Sequence, residues 1–146
     1  MRTEAAFWDT IAKVPVCCVQ EFSSQVRRTY RNFKKPVIWW GPPVGMHSAF
    51  GRLHRTGVLT VRQTSGALRL WENFRANSRT VIHHERTTLL AEELSGQYEL
   101  RSLDAFQLAA ALVWCKEKSR KRRFICADSR LGEAATRAGF DVVILL

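Results

Sequence analysis

No apolar run in this chain approaches the roughly 18 residues that a bilayer-spanning helix needs, so no transmembrane helix is expected. The opening MRTEAAFWDT has a short apolar patch but lacks the longer core of a signal peptide, and a cytoplasmic location is the expectation. Cysteine is scarce. Cys17 and Cys18 are adjacent, Cys115 and Cys126 stand alone, and no C-x-x-C pair occurs. Each lies in an apolar run, which argues against a disulfide framework or a zinc site and for buried free thiols. Linkers, internal repeats and low-complexity tracts are also missing, so residues 1–146 read as one domain.

Acid is in short supply as well. Asp and Glu number 13 against 23 Lys and Arg, for a net charge of +10. The excess gathers in two segments: Arg27, Arg28, Arg31, Lys34 and Lys35, then Lys116, Lys118, Arg120, Lys121, Arg122 and Arg123. A basic surface favours polyanions, nucleic acid first; a face kept positive for solubility or for an acidic protein partner is the alternative.

What is present is hydrophobic residue at 46%, enough to exclude a disordered chain and to build a core. Short apolar runs predict strands at Ala5–Trp8, Val37–Trp40, Phe124–Ala127 and Val142–Leu145, with Thr80–His83 as a weaker fifth. Helical periodicity marks Gln20–Phe33, Pro43–His54, Thr60–Asn77, Glu85–Leu94, Asp104–Lys118 and Arg130–Ala138, the last stopped by Gly139. Strands alternating with helices predict an α/β fold, with a central, mostly parallel sheet covered on both faces. Trp39 and Trp40 end a strand and read first as strand core, with one of them lining the cleft as the alternative; Trp71 and Phe74 read as core or a dimer face, and His83 and His84 as surface or loop.

Three of the few acids occupy telling positions. Asp9 directly follows the first strand, Asp128 follows the strand Phe124–Ala127, and Asp104 opens the most apolar helix. Ligands of open α/β sheets bind outside the carboxyl ends of the strands. Each acid, taken singly, also reads as a helix cap or a first-turn acid. Taken together, carboxylates gathered at one sheet edge repel one another, and a divalent cation reconciles them. Hard oxygen ligands from few side chains suit Mg²⁺ or Mn²⁺.

These residues resemble a known family. LRSLDAFQLAAALVW and RRFICADSRLGEAATRAGFDVV are similar to the C-terminal half of PIN-domain proteins, particularly VapC-type toxins. AFWDT resembles the first strand of that family, and PVIWWGPPVGMHSAFGRLHRTGVL its second strand and following helix. The resemblance implies a three-layer α/β/α sandwich and a Mg²⁺-dependent endoribonuclease. Asp9, Asp104 and Asp128 match three of the family's metal-binding acids, and Thr10 matches the hydroxyl residue after the first. It also implies RNA held by the basic surface, an antitoxin-like protein partner, and a homodimer.

The chain departs from the pattern at three places. Gly45 stands where the family has a metal-binding Glu, Ile11 where a Ser or Asn is usual, and Lys13 where a leucine is common. Three readings follow: a ribonuclease of weakened activity, a PIN-like module that binds RNA or a protein without cutting, or a purely structural α/β domain whose acids are incidental.

Overall fold

Period-two side-chain alternation accounts for the sheet. In the computed structural model, which describes residues 5–9 and 23–145, five strands pair side by side. They are β1 (Ala5–Trp8), β2 (Lys35–Trp39), β3 (Arg79–Val81), β4 (Arg123–Cys126) and β5 (Asp141–Ile144). All pair in parallel, in the order β3-β2-β1-β4-β5. Phe7, Val37, Trp39, Phe124 and Cys126 point into one hydrophobic cluster. Their neighbours Ala6, Trp8, Ile38 and Ile125 point into another. Strands that bury both faces need continuous apolar sequence, and PVIW and RFIC supply it.

Parallel pairing forces long crossovers, and helices fill them. The described helices are α1 (Ser23–Asn32), α2 (Pro42–Arg55), α3 (Val61–Ala76), α4 (Glu85–Tyr98), α5 (Ser102–Trp114) and α6 (Ser129–Arg137). Helices α4, α5 and α6 bring Leu90, Leu108 and Leu131 to the first cluster. Met46 and Phe50 of α2 and Trp71 and Phe74 of α3 fill the second. The result is a three-layer α/β/α sandwich. Among the described residues no helix is long and apolar enough to cross a membrane.

Element boundaries differ from expectation in a consistent way. β2, β4 and β5 each begin one or two residues early, at Lys35, Arg123 and Asp141. Hydrogen-bond register, not side-chain polarity, decides where a ladder begins. Arg123 and Asp141 lie directly opposite each other and form an ion pair. Helix α5 ends at Trp114 rather than Lys118, because Lys116 and Glu117 take left-handed φ values of 54° and 61°. Helix α4 runs past Leu94 and Gly96 to Tyr98, and a left-handed Glu99 at φ 53° ends it.

From β1 the chain winds outward through β2 and β3, then crosses back to β4 on the other side of β1. The C-terminal ends of β1 and β4 therefore flank the point where the winding reverses. That is where a crevice opens in sheets of this kind.

Candidate functional site

The three acids meet the reversal point from three elements. Asp9 follows β1 with only 1% of its surface exposed. Its backbone N–H donates to the Ile125 carbonyl at 2.9 Å, and its Oδ2 accepts from the Ala127 N–H at 3.3 Å. The end of β1 is thereby tied to the end of β4, one residue before Asp128. Asp128 is the N-cap of α6, and its Oδ1 accepts from the Arg130 N–H at 2.9 Å. The capping role open to it in the sequence is thus realised. Asp104 is a half-buried acid in the first turn of α5, where the helix dipole favours negative charge.

Electrostatics links the three. The Asp104 carboxyl is raised above the ordinary aspartate range, first by burial and then by the charges of Asp128 and Asp9. Arg101 and Arg130 pull it back part of the way. The buried Cys126 thiol is pushed up to about 12 by burial and, next, by Asp9, with Asp128 and Asp104 adding to it. Such a thiol is no nucleophile at neutral pH. Cys115 and Cys126 are buried free thiols, as their apolar surroundings predicted. Thr10, Ile11, Lys13, Cys17 and Cys18 lie outside the described residues.

A groove of ≈ 930 Å³ opens beside Asp104, which alone of the three carboxylates lines it. Gly45, in the first turns of α2, lines the same groove. The position at which the resemblance sets a further acid therefore faces the Asp104 groove and carries no side chain. The far wall is aromatic. Trp40 sits edge-on to His83, with ring centroids 4.9 Å apart, and to Phe106, at 5.8 Å. Arg52 lines the groove as well.

This wall realises the second of the two expectations for the tryptophan pair, a ring that lines the cleft. Trp39 is core, at 7% exposure, but Trp40 lies one residue past the end of β2 and is only half-buried. His83 is exposed, as expected of a loop residue, yet it packs on Trp40. His84 caps α4 by accepting from the Arg86 N–H at 3.2 Å. Trp71 and Phe74 are core, stacked at 6.1 Å. A signal for Trp40 did exist: a residue just beyond a strand's carboxyl end stands at the ligand-binding edge.

The basic segments lie elsewhere. Lys34 and Lys35 lead into β2, and Arg120 to Arg123 lead into β4. Parallel strands put those starts on the edge opposite the acids. The cations near Asp104 are instead Arg101 and Arg130, with Arg52 in the groove.

Carboxylates are the right donors, in kind, for a hard divalent cation, and their mutual repulsion favours one. Among the described residues, however, no three His, Cys, Asp or Glu side chains stand close enough to form a ready cage. An ion held here would keep much of its water shell, as Mg²⁺ commonly does. The sequence matches no protein-family model and no curated protein, so the resemblance to PIN-domain proteins rests on the motifs of this chain alone.

Proposed function

We propose that this chain is a metal-dependent endoribonuclease of the PIN, VapC-like type, with cutting slowed by the glycine at position 45. One observation carries the reading: carboxylates from three elements gather at the reversal point of the sheet, close enough for Asp128 and Asp9 to raise the proton affinity of Asp104. Acids that disfavour one another's charge at a ligand-binding edge are costly unless a cation offsets them.

Asp9, Asp104 and Asp128 are the residues that would hold Mg²⁺ or Mn²⁺, with Thr10 next to Asp9 in the chain. The ion, when bound, supplies Lewis acidity toward a phosphoryl oxygen and a more acidic water. The chain's own residues do the rest. Asp9 is fixed by its bonds to Ile125 and Ala127, so it cannot swing away from the end of β4. Arg52 offers charge to a phosphate in the groove, and Trp40, His83 and Phe106 offer ring surface to an unpaired base. The same reading brings with it a cytoplasmic homodimer and a protein antitoxin that covers the groove.

A second reading has its own observation. Gly45 removes a carboxylate from the groove, and the remaining acids form no ready cage among the described residues. On that basis the chain would bind RNA or a protein without cutting. Assaying RNA cleavage over a range of Mg²⁺ and Mn²⁺ separates the two. The natural sequence should cut slowly, Gly45→Glu should cut about tenfold faster or more, and Asp104→Asn should not cut. A natural protein inert at every metal concentration beside an active Gly45→Glu selects the binding module. Inertness of all three discards the nuclease site.

A further inference from the structure

We infer that the sheet edge opposite the carboxylates is a separate docking surface for the phosphate backbone of RNA. Two basic segments far apart in sequence converge there. Lys34 and Lys35 enter β2, which flanks β1 on one side, and Arg122 and Arg123 enter β4, which flanks it on the other. In register, Lys35 lies opposite Ala5 and Arg123 opposite Ala6. With strands about 4.8 Å apart, those two backbones are about 10 Å from each other. Arg79 begins β3 on the same edge, and Arg31 closes α1 just before Lys34.

The loop between α5 and β4 completes the surface. Lys116, Lys118, Arg120, Lys121 and Arg122 are all exposed. The loop is held in one shape by several bonds. The Glu117 N–H donates to the Leu112 carbonyl at 2.7 Å, and the Arg122 N–H to the Ser119 carbonyl at 2.9 Å. The Ser119 hydroxyl donates to the Ala138 carbonyl at 2.6 Å, and the Arg122 guanidinium lies 5.5 Å over the Trp114 ring. Two acids of this surface among the described residues are already engaged. Glu117 accepts two bonds from Arg86, at 2.7 and 3.2 Å, and Asp141 pairs with Arg123. Lys116, Lys118, Arg120 and Lys121 make no ion pair among the described residues. Their charge is left for an external anion.

The chemistry of the surface selects a nucleic-acid backbone over a membrane. Lipid-binding faces set apolar side chains beside their cations. Among the described residues, none of the exposed large hydrophobic side chains falls in the loop from Lys116 to Arg123 or at Lys34 and Lys35; Ile82 and Leu89, the two nearest Arg86 in the chain, belong to the loop after β3 and to α4. A phosphate backbone asks only for cations at spaced positions. Helix α5 sets the distance from the cleft: ten residues separate Asp104 from Trp114, about 15 Å at 1.5 Å per residue. The identity of the polyanion rests on the RNA reading of the cleft, but docking does not require the chain to cut.

The test uses full-length Asp104→Asn protein in EDTA, so that cleavage plays no part, and a fluorescein-labelled RNA hairpin titrated at several salt concentrations. In that background Lys118→Glu with Arg120→Glu should weaken binding and reduce the slope of log K against log salt by about 1.5. Arg62→Glu with Arg69→Glu, an equal change of net charge on exposed positions of α3, should leave the slope near that of the parent. Equal losses in both doubles, or none in the first, would overturn the proposal. So would binding to phosphatidylserine vesicles or polyglutamate that is tighter than binding to the hairpin.

Discussion

The Asp104 carboxyl is raised by burial and by Asp128 and Asp9, against the pull of Arg101 and Arg130. The sign of its effect on stability follows. Below the ordinary value of 3.8 both the folded and the unfolded chain carry the proton, and Asp104 contributes nothing. As pH rises past 3.8 the unfolded chain releases its proton first, so stability falls until the raised folded value is passed. Above the raised folded value the penalty is complete. Asp104→Asn should therefore raise Tm at pH 7 in EDTA, and the gain should shrink to nothing as pH drops below that ordinary value. Millimolar Mg²⁺ should raise Tm of the natural protein more than that of Asp104→Asn, because only the former keeps all three carboxylates. Thermal denaturation followed by circular dichroism across pH, with and without Mg²⁺, reads both effects. A gain independent of pH would detach Asp104 from its acidic neighbours. At Gly45 the same scale gives a different lesson: a helix glycine costs about 1 kcal/mol against alanine. Its chemical consequence is that no carboxylate projects into the groove from that position.

At the scale of the element, α6 carries a structural device at each end. Asp128 caps its start, and Gly139 follows its end at φ +102°. A Cβ at 139 would lie 2.4 Å from Ser119 Oγ, the hydroxyl bonded to the Ala138 carbonyl. Gly139→Ala combines a strained φ with that collision and should cost about 1–3 kcal/mol, read as a lower urea midpoint. The stop at Gly139 was legible because glycine is the residue that helix ends select. The end of α5 was not. Lys116, Glu117 and Lys118 are good helix formers, and local propensity extends the helix through them. Tertiary bonds from Glu117 to Arg86 and from Ser119 to Ala138 turn the chain instead. The acids were legible for a related reason. Asp9 and Asp128 need only a strand before them, and Asp104 only a helix after it, so position in sequence locates them. The wall of Trp40, His83 and Phe106 draws on the end of β2, the loop after β3 and the first turns of α5. Its assembly depends on how α5 packs across the sheet, which no local pattern records.

Across the whole molecule, β1 joins the two hydrophobic layers and separates the two charged edges. Phe7 stacks on Phe124 at 5.3 Å within one cluster, while its sequence neighbour Trp8 meets Phe74 at 5.6 Å in the other. Neither cluster can lose β1 and remain closed, because the strand lies at the centre of the sheet. The two layers should therefore unfold together. Far-UV circular dichroism reports the helices, whereas tryptophan fluorescence reports both faces, with Trp39 in one cluster and Trp8 and Trp71 in the other. Their urea transitions should coincide, as two-state unfolding requires. Phe7→Ala removes a fully buried ring and should cost about 3–5 kcal/mol. If the layers are coupled through β1, that substitution moves the midpoints of both probes by the same amount, although Trp8 and Trp71 lie on the opposite face. A fluorescence transition that splits in two, one part shifted and one in place, would mean that the layers are separate cooperative units, and the one-domain reading of the sequence would fail with it.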